Sequence, residues 1–270
     1  MAEGLGTRII KLEISAPGIS LRVLPGQFVV LMVSEKGERI PLTVVDKDRE
    51  KGTLVLIFQE LGLTTHLLGR LGKGERLYAL LGPLGNPSEI KNYGKVVLVG
   101  GGVGIAEIFP VAKALKEKGN YLTLLLGART KNLLILEEEL RRIADEIYTA
   151  TDDGSYGWKG LVTDILLQMR EDKNYRWAEI DFVYAVGPIP MMKKVSEISR
   201  GIKTVVSLNA LMVDATGMCG CCRVTIKGET KFSCVDGPEF SGQDVDWEEL
   251  ERRTKMYVDK ERHICKLYNL

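Results

Sequence analysis

Short apolar stretches, separated by glycine, proline and charged residues, fill the first third of the chain. Their Val, Ile and Leu content and their close spacing predict the strands of a small β-barrel or sandwich. The predicted strands cover residues 8–14, 27–34, 40–46, 53–59 and 76–81, and one short helix lies near residues 64–71.

The hydrophobic pattern changes at Lys95, where a continuous apolar stretch begins a series of alternating strands and helices. Strands without polar alternation are buried on both faces, and repeated βα units build a parallel, doubly wound sheet. We therefore predict an α/β domain with strands at residues 95–100, 121–126, 146–151, 182–186 and 204–208. The predicted helices lie near residues 108–115, 133–144 and 161–169, and a fourth begins at residue 190.

The alternation of strands and helices stops at Leu208. An irregular stretch over residues 209–243 carries four of the five cysteines, and a last helix follows over about residues 245–260. We therefore expect a β-barrel domain at residues 1–93, a doubly wound α/β domain at residues 94–207 and a small C-terminal segment at residues 208–270.

Composition and charge narrow the functions that this chain can have. The 270 residues include 37 basic and 36 acidic side chains, and the net charge of +1 gives no field that would attract nucleic acid or anionic lipid. No apolar run reaches the ~18 residues of a membrane-spanning helix, and the first residues lack a signal-peptide core. We therefore expect a cytoplasmic protein, in which free thiols persist. The two histidines leave few candidates for histidine acid–base chemistry.

The cysteines carry the most specific spacing in the chain. Asp214, Cys219, Cys222 and Cys234 follow the pattern Asp-x4-Cys-x2-Cys-x11-Cys. Plant-type [2Fe–2S] ferredoxins use Cys-x4-Cys-x2-Cys and a distant fourth cysteine, so the spacing predicts a [2Fe–2S] cluster with aspartate in place of the first thiolate. A zinc site with three cysteines stays an alternative, and so does Asp214 as an ordinary turn residue. Two cysteines fit no pattern: Cys221 and Cys265.

A glycine cluster over residues 100–104 follows the first strand of the α/β domain and begins a helix. Such a turn allows a pyrophosphate to approach the backbone and the helix N-terminus, although a tight turn alone also needs glycine. A second glycine turn at Gly187 and Pro188 ends a later strand at the same sheet edge. Arg129 lies at the end of the second strand, where it suits a 2′-phosphate or is merely solvated, so NAD and NADP both stay open.

A barrel followed by a nucleotide-binding sheet resembles the ferredoxin–NADP reductase superfamily over about residues 1–205. The segments 208–220 (LNALMVDATGMCG) and 234–240 (CVDGPEF) narrow this resemblance. With them, nearly the whole chain resembles the electron-transfer subunits of class 1B dihydroorotate dehydrogenase. It looks closer still to the small subunits of NADH-dependent ferredoxin:NADP⁺ oxidoreductase, also called sulfide dehydrogenase.

This resemblance implies FAD on the barrel, a [2Fe–2S] cluster in the C-terminal segment, and NAD(H) or NADP(H) as substrate. It implies that Leu42 lies against the flavin and that Thr43 lies near its reactive edge. The family's arginine position holds Ile40 here, with Arg39 one residue earlier. By physics alone, two threonines at a helix start more often cap the helix than bind phosphate. The implied FAD contacts are Pro41, Leu42, Thr43, Ile57, Phe58, Gln59, Gly62, Thr64 and Thr65.

The resemblance also implies the residues of the other two sites. The nucleotide contacts map to Gly101, Gly102, Val103, Gly104, Ile105, Arg129, Gly187, Pro188 and Met191. The cluster ligands map to Asp214, Cys219, Cys222 and Cys234.

These three cofactors suggest one electron path. Nicotinamide releases two electrons together as hydride and a [2Fe–2S] cluster accepts one at a time, so a flavin must lie between them. No side-chain acid or base is then required, and we assign no catalytic residue. The implied partner is a larger flavin and iron–sulfur subunit in a heterodimer that delivers electrons to ferredoxin, with flavin-based electron bifurcation as one candidate role.

Two other functions stay open. The chain could be the electron-transfer subunit that feeds dihydroorotate dehydrogenase, or a non-enzymatic zinc- and nucleotide-binding regulator. The last helix and the tail to Leu270 are candidates for the partner contact, and a solvated amphipathic helix is the alternative.

Overall fold

The computed structural model describes residues 2–4 and 7–268. The ends of the predicted segments 1–93 and 208–270, including the last two residues of the tail, lie outside the described residues. None of the described helices is long and apolar enough to cross a bilayer.

The N-terminal part is a six-stranded antiparallel sheet. Its strands are β1 (Ala2–Gly4), β2 (Thr7–Ser15), β3 (Phe28–Met32), β4 (Ile40–Asp48), β5 (Thr53–Glu60) and β6 (Ala79–Leu84), paired in the order β1-β2-β5-β4-β3-β6. Two short helices lie in the connections, α1 (Pro17–Ser20) and α2 (Leu63–Gly69).

Alternate side chains of the barrel strands point into one core. Val29 and Leu31 of β3 and Leu54 and Leu56 of β5 are completely buried there, as the period of two along a strand dictates. The sheet therefore curls around a shared core as a barrel. Strand β6 ends at Leu84 rather than at the expected residue 81, because an edge strand can continue through Pro83.

The second sheet begins with β7 (Lys95–Gly101) and is parallel except at one edge. It continues with β8 (Tyr121–Ala128), β9 (Glu146–Thr151), β10 (Trp158–Lys159), β11 (Phe182–Val186) and β12 (Lys203–Ser207). Three later strands are β13 (Arg223–Ile226), β14 (Glu229–Phe232) and β15 (Glu239–Ser241). The sheet order is β10-β9-β8-β7-β11-β12-β15, in which β15 is antiparallel to β12.

Helices cover both faces of this sheet. They are α3 (Gly104–Glu117) and α4 (Glu137–Arg141) on one face and α5 (Val162–Glu171) and α6 (Ile189–Ile198) on the other. Two further helices belong to the C-terminal segment, α7 (Trp247–Thr254) and α8 (Val258–Leu267). One buried cluster lies under α3, with Ile108 and Leu115 against Leu98 of β7, and another joins α5 and α6 to the opposite face. This arrangement confirms the prediction of a barrel and a doubly wound parallel sheet.

Three local expectations differ from the structure. The helix expected at residues 133–144 is only α4, because Leu136 adopts a left-handed conformation with φ of 55° immediately before it. The last helix is divided into α7 and α8, since the Thr254 hydroxyl bonds back to the carbonyls of Leu250 and Glu251 and competes with helix hydrogen bonds. The irregular stretch holds the hairpin β13–β14 and the edge strand β15, whose strands of three or four residues are too short for a clear pattern.

Candidate functional site

A cavity of about 680 Å³ lies between the barrel and the parallel sheet. It lies at the carboxyl ends of β7, β8 and β9, where the strand order reverses between β7 and β11. Ligands of open α/β sheets bind at such a reversal. The barrel contributes Thr7, Ile9 and Gln59 to the lining. From the α/β domain, the lining includes Gly101, Gly102, Val103, Arg129, Asp152, Asp164, Pro188, Met191 and Lys194.

Two glycines in the turn between β7 and α3 have different roles: Gly104 allows close packing, and Gly102 leaves the surface of the turn open. A Cβ at Gly104 would lie 2.4 Å from the carbonyl oxygen of Val186. Gly102 has φ of +58°, and nothing lies within 4 Å of the position that its Cβ would take. No side chain of the described residues caps α3, and the Ile105 and Ala106 N–H groups donate to the carbonyls of Gly102 and Val103. This helix start therefore offers a phosphate mainly the positive end of the helix dipole.

The second glycine turn packs directly against the first. A Cβ at Gly101 would lie 2.5 Å from Met191 Sδ and 3.0 Å from Pro188 Cδ, and a Cβ at Gly187 would lie 2.8 Å from Met191 Cε. The structure therefore brings these four predicted residues together. The fully buried Ile105 packs instead under the sheet, so its side chain does not reach the cavity.

Charged groups of both signs lie at this cavity, the predicted nucleotide cavity. Arg129 donates a 3.1 Å hydrogen bond from its guanidinium to Thr7 Oγ1 of the barrel. Burial raises the pKa of Asp152, while the charge of Arg129 lowers it and Asp153 raises it. Asp152 was not predicted from the sequence, because dinucleotide-binding sheets usually carry their ribose-binding acid after the second strand, whereas Asp152 follows the third.

The predicted flavin residues lie on β4, on β5 and at the start of α2. Thr43 Oγ1 donates a 3.1 Å hydrogen bond to Glu107 Oε2 of α3. Thr64 Oγ1 donates to Glu38 Oε2 at 2.7 Å. Thr65 Oγ1 accepts from the Gly62 N–H at 3.0 Å, so it caps α2. The helix start is thus engaged in local contacts.

The other predicted flavin contacts on β4 and β5 differ in how much of their surface is exposed. Pro41 and Leu42 are half-buried on β4. Ile57 packs with Ala106 at the contact between the barrel and the α/β domain, and Phe58 lies in the barrel core with 2% of its surface exposed. A cofactor outside the barrel can therefore contact only the backbone of Phe58. Gln59 lines the nucleotide cavity.

Two of the four predicted cluster ligands lie in direct contact. Cys222 Sγ and Cys234 Sγ are buried and 3.1 Å apart. Burial and the neighbouring Cys222 thiol raise the pKa of the Cys234 thiol to about 12, so thiolate ligation there needs a metal charge to displace the proton. Cys219 is exposed and accepts a weak hydrogen bond from the Cys221 N–H at 3.5 Å.

Asp214 lies close to Arg39 of the barrel. Hydrogen bonds from the Thr216 hydroxyl and backbone hold the pKa of the Asp214 carboxyl below its usual range. Arg39 of the barrel approaches it, with 3.7 Å between Nη1 and Asp214 Oδ1. The structure thus places Arg39 against the predicted ligand segment.

The donor set contains a thiol pair that suits one iron of a two-iron cluster. A [2Fe–2S] cluster needs only two protein ligands on each iron, and Cys222 with Cys234 form such a pair. The buried Ser233 Oγ next to them has no hydrogen-bond partner among the described residues, which leaves a donor for a cluster sulfur.

Buried polar contacts attach the cysteine segment to the α/β domain. Glu239 of β15 accepts a 2.7 Å hydrogen bond from the Tyr184 hydroxyl of β11, and Ser88 also donates to it. Burial raises the pKa of both Tyr184 and Glu239. The sequence analysis missed this pair and Glu107, although an acid inside the apolar start of α3 was a visible signal.

Two family models match the chain. The iron–sulfur cluster binding domain of dihydroorotate dehydrogenase B matches residues 209–246, and an oxidoreductase NAD-binding domain matches residues 98–197. The first match decides between iron–sulfur and zinc in favour of iron–sulfur, and the second confirms the prediction of a nicotinamide nucleotide.

Individual relatives cover nearly the whole chain. A protein from Thermotoga maritima named as an electron transfer subunit homolog of dihydroorotate dehydrogenase B (NAD⁺) is 52% identical over 92% of this chain and 87% of its own length. The electron transfer subunit of that enzyme from Geobacillus thermodenitrificans is 34% identical over 89% of this chain and 94% of its own length.

Solved structures agree with these relatives. The structure of the NADH-dependent reduced ferredoxin-NADP oxidoreductase, reported for flavin-based electron bifurcation, is 47% identical and superposes with a TM-score of 0.90 over 97% of this chain and 94% of that chain. A cytochrome P450 reductase from Amycolatopsis, 22% identical with a TM-score of 0.57 over 71% of this chain and 60% of that chain, shares the fold alone. The chain therefore belongs to the family of dihydroorotate dehydrogenase B electron-transfer subunits, oxidoreductase subunits that combine a ferredoxin reductase-like fold for FAD and NAD(H) with an iron–sulfur segment.

Proposed function

We propose that this chain is the small subunit of an NADH-dependent ferredoxin:NADP⁺ oxidoreductase and passes electrons from NAD(P)H through FAD and a [2Fe–2S] cluster to a larger subunit. One observation carries the proposal: the cavity at the strand reversal is shared by the glycine turns and by barrel residues such as Gln59. A nucleotide in this cavity therefore lies next to the barrel that carries the flavin.

The degree of similarity favours this function over dihydroorotate oxidation. The NADH-dependent reduced ferredoxin-NADP oxidoreductase is 47% identical to this chain, whereas the dihydroorotate dehydrogenase B electron transfer subunit from Geobacillus thermodenitrificans is 34% identical. A subunit that feeds dihydroorotate dehydrogenase is the second candidate, supported by the iron–sulfur family model.

In the proposed function, the residues of this chain bind and orient its cofactors. The α3 N-terminus with Gly102 and Val103 binds the nucleotide pyrophosphate, and Pro188 and Met191 hold the nicotinamide end near the barrel. When bound, FAD converts two-electron hydride chemistry into one-electron transfer. We assign cluster ligation to Asp214, Cys219, Cys222 and Cys234.

The partner surface in this proposal includes α8. The described part of this helix has no buried residue, and the exposed apolar side chains near its ends include Tyr257, Leu267 and Tyr268. We also place the chain in the cytoplasm, because its cysteines are free thiols and cluster assembly needs them reduced.

Purification of the intact complex from its native source tests the proposed function. We expect flavin and iron–sulfur absorption, iron without stoichiometric zinc, bleaching by NADH or NADPH, and a larger flavin and iron–sulfur subunit. Reduction of ferredoxin by NADPH that requires NAD⁺ would identify electron bifurcation. A copurifying dihydroorotate dehydrogenase subunit would support the second candidate, and a zinc protein without flavin absorption would contradict both.

A further inference from the structure

Glu107 lies at the contact between α3 and the barrel. Its Oε2 accepts the 3.1 Å hydrogen bond from Thr43 Oγ1 of β4. Its chain neighbours Ala106 and Ile108 are completely buried, and Glu107 itself is only partly exposed. A carboxyl in an apolar contact is costly to bury, which makes a functional role the first hypothesis to test.

Glu107 also lies between two cavities. Val103, Glu107 and Pro110 follow the spacing i, i+4, i+7 and therefore share one face of α3. Val103 lines the nucleotide cavity, and Pro110 lines a second cavity of about 330 Å³ between β4 and α3. The carboxyl is therefore placed one helical turn from each of them.

The second cavity connects this face of α3 with solvent. Its lining includes Arg49 and Lys113, both of which are exposed. Its other charged residues are Asp46, Lys47 and Glu117. Because these side chains are polar and accessible, water can enter the cavity, whose lining also includes Val44, the chain neighbour of Thr43.

In the proposed electron path, the protein must release one proton from the flavin site. Oxidation of NADH yields NAD⁺, two electrons and one proton. The cluster accepts the two electrons one at a time and takes no proton, so the proton that arrives with the hydride must leave by another route. Thr43, which the family resemblance places near the reactive edge of the flavin, is bonded to Glu107.

We propose that Thr43 Oγ1 and the Glu107 carboxyl form the first two positions of the path by which this proton leaves, and that the second cavity is its exit. Glu107 then acts through Thr43 as a positioning residue. When the carboxyl is ionised it accepts the Thr43 hydrogen, and when it is protonated it can donate to Thr43 Oγ1. This inference rests on the proposed function, since it requires the flavin on the barrel.

The surroundings of Glu107 suit a proton that is taken up and released near neutrality. Burial raises the pKa of Glu107 to about 7, against the smaller opposite effect of the Thr43 hydrogen bond. The strands β7 and β8 meet α3 through Val and Leu side chains. Strand β11 contributes Tyr184, whose pKa is raised by burial, by Glu239 and to a smaller extent by the charge of Glu107. The Asp46 carboxylate of β4 lies 3.7 Å from Lys113 Nζ of α3.

The test uses the purified complex with Glu107→Gln, Thr43→Val and Thr43→Ser. Infrared difference spectra between oxidised and reduced protein should contain a carboxyl C=O band that changes with pH around 7 and is missing in Glu107→Gln. Glu107→Gln and Thr43→Val should also slow the release of electrons from the reduced flavin to the cluster by about 10²-fold. The pH dependence of the flavin midpoint potential should lose its break near pH 7 in Glu107→Gln. In Thr43→Val the break should move to higher pH, because this variant keeps the carboxyl and removes the hydrogen bond that lowers its pKa.

Thr43→Ser is the matched control, because it keeps the hydroxyl and should restore the wild-type band, rate and pH break. This inference would be overturned if the Glu107→Gln and Thr43→Val complexes contain flavin and keep the wild-type pH break and rate. That result would leave the proposed function intact. Thr43→Ser behaving like Thr43→Val would also overturn it. A wild-type complex without flavin would overturn the proposed function and the inference together.

Discussion

The buried carboxyl of Glu107 should make the stability of the protein depend on pH. Its folded-state pKa of about 7 exceeds its ordinary value of 4.5. Protonation of Glu107 therefore adds to the free energy of unfolding, fully below about pH 4.5, and this contribution is lost as the pH rises through about 7. The two values correspond to a loss of about 3 kcal/mol at most. Urea unfolding at about pH 5 and about pH 8 should show this loss in the wild type and a flatter dependence in Glu107→Gln. Equal pH dependence in both proteins would contradict it.

Asp214 gives a second prediction that depends on one side chain. A hard carboxylate oxygen should favour ferric iron, so Asp214→Cys should raise the cluster midpoint potential by on the order of 100 mV. A redox titration followed by electron paramagnetic resonance measures this change. Asp236→Asn is the control, because Asp236 belongs to the same C-terminal segment, in the turn after β14, and its carboxylate accepts the Phe232 N–H at 2.7 Å. An unchanged potential in Asp214→Cys would show that Asp214 is not a ligand.

At the scale of elements, the attachment of β15 to the parallel sheet depends on the hydrogen bond between Tyr184 and Glu239. Tyr184→Phe removes the 2.7 Å donor and leaves a buried carboxyl with fewer partners, which should cost about 1–3 kcal/mol. The matched control is Tyr121→Phe, because the exposed Tyr121 hydroxyl donates to Glu146 at 2.9 Å and should lose less than about 0.5 kcal/mol. Thermal unfolding of both variants measures the difference, and equal losses would contradict it.

Elements with a strong repeating pattern could be predicted from the sequence, and elements fixed by tertiary contacts could not. The apolar run at Lys95 identified β7, because a strand that is buried on both faces consists almost entirely of apolar residues. The glycines after it identified the start of α3, because a close turn between strand and helix requires glycine. The strand β15 leaves no such trace, since it has three residues and its place depends on pairing with β12. The short α4 was overestimated because its apolar periodicity hides the left-handed Leu136.

The same distinction applies to the candidate sites. Spacing along the chain identified the cysteine segment and the glycine turns. The hydrogen bond between Thr43 and Glu107 joins residues 64 positions apart, and Arg39 approaches Asp214 from another domain. Such contacts depend on how the barrel and the sheet are placed together, which no local pattern encodes.

At the scale of the whole molecule, the nucleotide cavity is built by two domains, and its charges should decide between NADH and NADPH. Arg129 is held by Thr7 of the barrel, and Asp152 lies on the same cavity. The 2′-phosphate of NADPH is attracted by the guanidinium and repelled by the carboxylate, whereas the 2′-hydroxyl of NADH can donate a hydrogen bond to the carboxylate. Asp152 therefore favours NADH, and its removal should shift the preference toward NADPH.

We expect Asp152→Asn to raise kcat/KM for NADPH relative to NADH by about tenfold, which is the effect of about 1.4 kcal/mol of relieved repulsion. Steady-state flavin reduction by each nucleotide measures the ratio. Asp153→Asn is the matched control, since Asp153 lies outside the cavity lining and its carboxylate accepts the Ser155 hydroxyl at 2.7 Å. Equal shifts in both variants would mean that general surface charge sets the preference. An unchanged ratio in Asp152→Asn would mean that Asp152 does not face the ribose, and that the cavity orients the nucleotide through Arg129 and the glycine turns alone.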